Sequence, residues 1–420
     1  MALHDFCLAT ALWSLAAAGS LISGCTCDGG VPSTGDDGGG LPADANENQA
    51  DADPAAPDGA PPDAALQFDA EPGTPDATPC AFDDGLICAT GDPDGPLIID
   101  ASTTFNTDND PLCRPLAQTD GPGACLVVVD SFTINGGARF IAIGSRPLVV
   151  ASVSDINLND LFDVSSRISG QVGAGANFAG CAVATAPEGD VGGSGGGAGG
   201  SFGGSGGDGG DGDEDQSSGS NGAGLGGTAS SAVSQPAFLR GGCPGGAGAE
   251  RNDTDLTPPG NGGGAVFLLT PANINLNAGS AIRATGAGGI GGRGDDHAGG
   301  GGGGTGGHII LEAANINLGG NVGANGGGGG EGGVDFGGSD IDGNDGADGA
   351  LSATGANGGS GASQFGGNGG DGSTQSNLDG EIANGDDGGG GGGGGAAGYI
   401  VFRGTVNDNG GITSPPFIQE

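Results

Sequence analysis

The chain has 420 residues, of which 104 are glycine, and aromatic residues make up only 4%. Too few large apolar side chains remain to fill several conventional hydrophobic cores. The formal net charge is −42, and all nine cationic residues are arginine. Nucleic-acid binding requires a basic surface that neutralises phosphates, so this composition excludes a nucleic-acid partner.

The first 24 residues have the features of a bacterial export signal. An apolar segment rich in alanine and leucine spans residues 8–21 and is too short to cross a bilayer comfortably. Ile22-Ser23-Gly24-Cys25 follows it and resembles the lipobox of bacterial lipoproteins, in which the cysteine is lipidated and becomes the first mature residue. One departure is that no Lys or Arg precedes the apolar segment.

We therefore predict a signal peptide over residues 1–24 and a lipid on Cys25. Several acyl chains on one cysteine would hold the protein stably at a membrane. The predicted location is the bacterial outer membrane or cell surface, with a plain secreted protein as the alternative.

Residues 25–79 are rich in Asp, Ala and Pro and contain no basic residue. Such a segment buries too little apolar surface to offset the entropy lost on ordering. We predict a disordered acidic tether between the lipid anchor and a folded part.

Export also gives the cysteines a function, because disulfides persist in oxidising compartments. Six cysteines pair in chain order after Cys7, Cys25 and Cys27 are set aside: Cys80 with Cys88, Cys113 with Cys125, and Cys181 with Cys243. Six cysteines permit fifteen connectivities, so this pairing is a hypothesis. Metal binding is the rival interpretation, but no Cys-x₂-Cys pair with a matching His or Cys pair occurs.

The triplet Ile-Asn-Leu occurs three times, beginning at Ile156, Ile274 and Ile316. The apolar residues before each triplet align without a gap, so that 148–152 falls over 266–270 and then over 308–312. The segment 399–403 fits the same template. Alternate residues of a strand point to opposite faces, so each segment is predicted to be a strand. One face would carry Val149 and Ala151, Phe267 and Leu269, Ile309 and Leu311, and Ile400 and Phe402.

Successive strands with apolar residues in the same columns are typical of a parallel β-solenoid. The predicted fold is therefore all-β, a short parallel β-solenoid (β-helix) with long glycine-rich loops. Residues 80–181 would form its cysteine-stapled first coils and residues 182–420 its glycine-rich repeats. A sandwich of β-hairpins is the alternative, although hairpin turns at regular spacing are missing.

These features together resemble one family. The chain is similar to the glycine-rich β-solenoid surface lipoproteins of myxobacteria. The shared features are a lipobox, an acidic tether, cysteine-stapled first coils, and units that alternate a glycine tract, an apolar strand, Ile-Asn-Leu and Ala-Asn-Gly-Gly. The resemblance covers roughly residues 80–410. It implies a cell-surface location and a β-solenoid, and it supplies no catalytic residues.

Three long glycine tracts, at about 182–263, 286–307 and 326–398, interrupt the predicted repeats. Glycine-rich chain loses the most entropy on ordering, which favours mobile loops. The alternative is a bundle of extended polyglycine helices, whose bare backbones approach closely and hydrogen-bond to one another.

Two acidic clusters in these tracts are candidates for weak Ca²⁺ binding. Residues 206–211 match the first six positions of a calcium-binding nonapeptide, and Asp340 opens a segment like an EF-hand loop. Both depart from the pattern, since Asp213 occupies an apolar position and Leu351 replaces the final glutamate. A solvated acidic loop is the alternative, and no other cofactor is expected. The candidate ligands are Asp208, Asp211, Asp213, Asp340, Asp342 and Asp345.

Catalytic patterns are scarce. Asp155, Asp160 and Asp163 lie close together, but the equivalents of Asp155 in the other repeats are asparagines. His308 begins a strand and is predicted to point outward, and Glu312 and Arg403 share a column as an exposed pair. We predict a non-catalytic surface lipoprotein with a structural or adhesive function and an extracellular glycan or matrix partner. Alternatives are a Ca²⁺- or carbohydrate-binding surface module and, less favoured, a polysaccharide-acting β-helix enzyme.

Overall fold

A computed structural model of the chain describes residues 92–213, 223–251, 256–336, 338–373, 378–385 and 387–420. Within these residues the chain forms strands and no helix, which confirms the predicted all-β class. No described segment is a helix of the length and apolarity needed to cross a bilayer. The strands are β1 (Leu97–Ile99), β2 (Thr103–Asn106), β3 (Arg114–Leu116), β4 (Ala124–Val129), β5 (Phe132–Ile134), β6 (Arg139–Ile143), β7 (Leu148–Ser152), β8 (Ile156–Leu158), β9 (Leu161–Asp163), β10 (Ala265–Leu269), β11 (Asn273–Leu276), β12 (Ala281–Arg283), β13 (His308–Leu318), β14 (Asn321–Gly323), β15 (Val334–Phe336), β16 (Ser339–Ile341), β17 (Tyr399–Asp408), β18 (Thr413–Ser414) and β19 (Ile418–Gln419).

Most of these strands stack in parallel into three columns. The first column contains β4, β7, β10 and the starts of β13 and β17. The second contains β1, β5, β8, β11 and the ends of β13 and β17. The third contains β2, β6, β9, β12, β14 and β18. Parallel stacking of successive units is not what antiparallel hairpins would give, so the hairpin-sandwich alternative is wrong.

The second column follows the predicted register. Ile156 pairs with Ile274, and Ile274 with Ile316, so the three Ile-Asn-Leu triplets lie side by side. Val406 continues the column as the partner of Ile316. The repeated triplet therefore marks equivalent positions in successive units.

The first column departs from the predicted register by one residue. Leu148 pairs with Val266 as aligned, but Val266 pairs with Ile309 rather than with His308. A slip of one residue moves a side chain to the opposite face of a sheet. Val149 and Phe267 therefore lie on the face opposite to Ile309, and the predicted common face is wrong for β7 and β10.

The main core lies between the three columns and is filled mostly by aliphatic side chains. Aromatic rings fill the end near the first units, where Phe132 and Phe140 pack edge to face with centroids 5.6 Å apart. Phe162 contacts both of these rings, at 5.9 and 5.0 Å. Burial of these rings supplies much of the apolar surface removed from water in this part of the chain.

The first column is buried on its other face as well. A second cluster there contains Val149, Phe267, Ile310 and Val401, packed against Leu239 from the connection between β9 and β10. Parallel strands covered on both faces carry continuous apolar runs rather than a strict alternation. This explains why β4 and β10 are buried along their whole length.

The asparagine of each triplet belongs to a ladder of side-chain hydrogen bonds outside the core. Asn275 donates to Asn157 at 2.8 Å and accepts from Asn317 at 2.7 Å. Asn407 extends the ladder by donating to Asn317 at 2.9 Å. The amide group has both a donor and an acceptor, so each asparagine can bond to the units on both sides.

We expect Asn275→Ala to lower the free energy of unfolding by about 2 kcal/mol, because two ladder bonds are lost and two partners are left unpaired. Asn407→Ala, at the exposed end of the ladder, removes a single bond and should cost at most about 1 kcal/mol. Denaturant unfolding of both variants measures the difference. Equal losses would contradict a ladder whose interior members make two bonds.

Three long connections join the third column to the first at the same corner of the fold. They comprise residues 164–264, 284–307 and 324–398, and they contain the glycine tracts. Because successive units lie in parallel, the three connections leave the third column side by side and enter the first column side by side. The tracts are thereby brought together, although they are far apart in sequence.

At this corner the tracts form a hydrogen-bonded bundle. The backbone N–H groups of Gly390 and Gly393 donate to residues 194 and 197, at 2.9 and 2.8 Å. Those of Gly389 and Gly392 donate to residues 333 and 330, each at 2.8 Å. The neighbours of the central tract 388–397 lie at 194–200, 207–213, 300–306, 327–333, 367–373 and 378–381.

The partner of the central tract changes with a period of three residues, as expected for an extended helix with three residues per turn. Such a helix directs its N–H and C=O groups radially and bonds to neighbours on all sides. Tracts 298–306 and 327–333 are surrounded in the same way. The expectation of mobile loops is therefore wrong for the described glycine residues, and the bundle alternative is the one that the structure adopts.

The ends of the stacked columns are covered by irregular elements. β3 lies antiparallel to β4 at one end, and a disulfide between Cys113 and Cys125 joins this segment to the sheet. β19 pairs with β17 at the other end, where Phe417 stacks on Phe402 at 4.5 Å. Both elements reduce the length of unpaired strand edge, which would otherwise favour association between chains.

Candidate functional site

The cysteines predicted to carry a lipid or to form the first disulfide, Cys25, Cys80 and Cys88, lie outside the described residues. The other two predicted pairs are bonded, Cys113 to Cys125 and Cys181 to Cys243. The second bond links two points of the connection between β9 and β10. It therefore constrains the longest of the three connections.

The Cys181–Cys243 bond lies against a buried arginine. The guanidinium of Arg240 lies 4.5 Å from the ring centres of both Phe178 and Phe202 and within 3.1 Å of both sulfur atoms. Burial lowers the pKa of Arg240 to about 10, so this group stays charged at neutral pH. Cation–π contacts stabilise that charge inside the protein.

The first predicted calcium cluster lies at the edge of the glycine bundle. The carboxylate of Asp208 accepts from the N–H of Ala229, and that of Asp211 from the N–H of Gly226, both at 2.7 Å. The two aspartates are three residues apart, which places them on one side of a three-residue helix. Asp213 donates its backbone N–H to the carbonyl of Gly388.

In the second predicted cluster, aspartates spaced by three residues also accept hydrogen bonds from backbone N–H groups. Asp342, Asp345 and Asp348 accept from the N–H groups of residues 294, 291 and 288, at 3.0, 2.9 and 3.2 Å. Asp340 lies apart from them in the exposed strand β16. The acids spaced by three thus satisfy the N–H groups of an adjacent tract.

The sequence did not predict that these aspartates accept hydrogen bonds from the backbone of adjacent tracts. The Gly-Gly-Asp spacing indicates it only if the tracts are assumed to be helices with three residues per turn. In the described ranges, no three His, Cys, Asp or Glu side chains are grouped to hold a metal ion. Calcium binding at either cluster stays a prediction.

Glu331 shows the same chemistry in the bundle interior. This fully buried carboxylate accepts from the backbone N–H groups of Asn344, Ala362 and Ser363, at 3.0 to 3.2 Å. Several N–H donors compensate a buried carboxylate for the loss of water. Glu331 therefore joins three segments of the connection between β14 and β17.

His308 lies on the face of β13 opposite to the core residues Ile309 and Leu311, as predicted, but that face is covered and His308 is buried. It pairs with Ala265 and Tyr399 and packs beside Phe202, at a centroid distance of 6.3 Å. Neither ring nitrogen has a hydrogen-bond partner among the described residues. Burial, with smaller contributions from the charges of Arg403 and Arg240, lowers the pKa of His308 to about 3.

Glu312 and Arg403 are neighbours in the first column, as predicted. Their side chains form an ion pair at 3.4 Å, and Arg403 also contacts Glu420 at 2.8 Å. The pair is partly covered rather than exposed. Its position at the end of the stacked units suits a structural contact.

The acids considered for catalysis lie on different surfaces. Asp155 accepts from the backbone and side chain of Asn273 at 3.0 Å, as part of a second asparagine ladder. Asp160 and Asp163 flank the outer face of the third column. Each of these carboxylates is already hydrogen-bonded within the protein.

A groove on that outer face gathers three of the nine arginines. β6, β9 and β12 are neighbours there, with Ile141 paired to Asp163 and Asp163 to Arg283. The groove has a volume of about 470 Å³. Its lining includes Arg139, Asp160, Leu161, Asp163, Arg167 and Arg283.

The charged groups in this groove differ in how many ion-pair and hydrogen-bond partners they have within the protein. Arg167 forms an ion pair with Asp163 at 2.7 Å, and Asp160 accepts from two backbone N–H groups. Arg283 is half-buried, and its Nε has no hydrogen-bond partner in the described part of the chain. Burial lowers the pKa of Arg283; Asp163 opposes this effect, and Arg167 and Arg139 add to it.

Sequence reasoning missed this groove, because its arginines are distant along the chain and share no motif. The available signal was their position, since Arg139 and Arg283 lie in equivalent short strands of different units. Comparison of the chain with protein-family models, curated proteins and solved structures gives no match.

Proposed function

We propose that this chain is an exported, lipid-anchored surface protein with a structural or adhesive, non-catalytic function, built on a short parallel β-solenoid. The three columns of parallel strands support the solenoid assignment. The two disulfides suit an oxidising compartment outside the cytoplasm.

The glycine bundle is the observation that carries the proposal. It occupies three long connections, yet its backbone groups bond mainly to one another, and its acids cap neighbouring tracts. The chain is thus used to build an ordered, acidic bundle at one corner of the stacked columns. An ordered bundle with an acidic surface suits an envelope scaffold or an adhesive display.

The second candidate is a carbohydrate-binding surface module. The arginine groove favours it, because an open polar groove with guanidinium donors matches the hydroxyl and acidic groups of sugars.

Whole-cell surface labelling followed by mass spectrometry tests the proposal. We expect labelled peptides from residues 92–420 on intact cells and an N-terminal peptide that begins at a lipid-modified Cys25. Recovery of an unmodified chain that retains residues 1–24 in the cytosolic fraction would overturn the location and the anchor together.

A further inference from the structure

The groove on the outer face of the third column has a small net positive charge, opposite in sign to the charge of the whole chain. The chain has a net charge of −42, whereas this groove contains three arginines and two aspartates. A local excess of positive charge on a strongly acidic protein concentrates anions at that place and repels them elsewhere.

The parallel register creates this arrangement. The core-facing residues of β6, β9 and β12 are Phe140, Phe162 and Ile282, so their neighbours in sequence point outward. Arg139 and Arg283 thus lie on opposite sides of β9, Arg139 beside Leu161 and Arg283 beside Asp163. The same groove is therefore lined by two guanidinium groups and by the half-buried side chain of Leu161.

The two aspartates of the groove, Asp160 and Asp163, do not occupy all the hydrogen-bond donors of these arginines. Asp163 is engaged by Arg167 and by the N–H of Ser165, and Asp160 by the N–H groups of Gly137 and Leu161. The buried Nε of Arg283 is still without a partner among the described residues. Arg283 nevertheless lines the groove, and its guanidinium charge can pair with an anionic group bound there.

The geometry points to a ligand with a carboxylate on a hydroxylated ring, and we propose that the groove binds an oligosaccharide containing uronic acids. A guanidinium fork matches a carboxylate with two parallel hydrogen bonds. Asp160 and Gln171 provide acceptors and donors for hydroxyl groups, and Leu161 offers an apolar surface for a sugar ring. The volume falls within the range of small-ligand sites, roughly 300–1,000 Å³.

This proposal rests on the carbohydrate-binding candidate and names its ligand class. It can be tested on purified protein, whereas location is tested by surface labelling, so either can fail alone.

The probe is a trisaccharide of galacturonic acid, titrated calorimetrically into the full chain, with the neutral galactose trisaccharide and inorganic phosphate as comparisons. We expect binding of the acidic trisaccharide that weakens as salt is added. Arg139→Gln and Arg283→Met should each weaken it at least tenfold. Arg251→Gln, an exposed arginine in the connection between β9 and β10, is the matched control and should leave it unchanged.

Arg139 is exposed on β6, so Arg139→Gln keeps the test valid even if Arg283→Met fails to fold. An unchanged unfolding temperature verifies that the variant is native. No binding of the acidic trisaccharide, equal binding of the neutral trisaccharide or of phosphate, or an equal loss in Arg251→Gln would each overturn the proposal.

Discussion

Gly392→Ala is expected to lower the free energy of unfolding by about 3 kcal/mol or more, which is at the upper end for a substitution that adds one methyl group. A Cβ at this position would lie 2.1 Å from the carbonyl oxygen of Gly301 and 2.5 Å from its carbonyl carbon. Both obstructing atoms belong to backbone, so no side chain can move aside. The tract must shift, and its bonds to residues 330 and 370 then lengthen.

Two glycines provide controls. A Cβ at Gly136 would meet nothing within 4 Å, and at Gly204, inside the first connection, it would come no nearer than 3.7 Å to Ala396. Alanine at either position should change the free energy of unfolding by less than about 1 kcal/mol. Thermal unfolding and amide hydrogen exchange over residues 326–373 measure the contrast. Fast exchange in the wild type, or equal stability of all three variants, would contradict a packed bundle.

Acidification is expected to destabilise the fold through His308. Its pKa is about 3 in the folded state, against about 6.5 in an unfolded chain. Unfolding therefore takes up a proton between these values. The stability from the neutral imidazole is fully present above pH 6.5 and is lost as the pH falls toward 3, by an amount on the order of 5 kcal/mol.

His308→Leu separates this effect from the titration of the carboxylates, which both proteins share. Leucine fills the space beside Phe202 and Tyr399 and cannot take up a proton. We expect the wild type to lose stability relative to His308→Leu as the pH is lowered from 7 to 4, measured by denaturant unfolding at each pH. Parallel losses in the two proteins would show that His308 does not titrate in this way.

The sequence determined the units of the fold. The apolar segments and the Ile-Asn-Leu triplets specify the strands, and the second column has the register that they predict. The repeated triplet can be recognised in the sequence because each unit must place its isoleucine and leucine in the same core. The Cys113–Cys125 and Cys181–Cys243 bonds also follow the pairing by chain order.

The first column shows where a pattern in the chain is insufficient. A strand buried on both faces has apolar residues throughout, so alternation does not fix its register. The turn before Ile316 is one residue shorter than the turn before Ile274, and the gap-free alignment hides this difference. His308 keeps its predicted face of β13 and is buried because Phe202, from the connection between β9 and β10, packs against it there.

Only the tertiary structure decided the state of the glycine tracts and the function of their acids. A glycine tract has no side chains to show which neighbours it will meet, and its order depends on other tracts delivered to the same corner by the stacked strands. The arginine groove arises in the same way, since β6, β9 and β12 become neighbours only when the units stack. Local sequence specified the strands, whereas contacts between distant segments created the bundle and the groove.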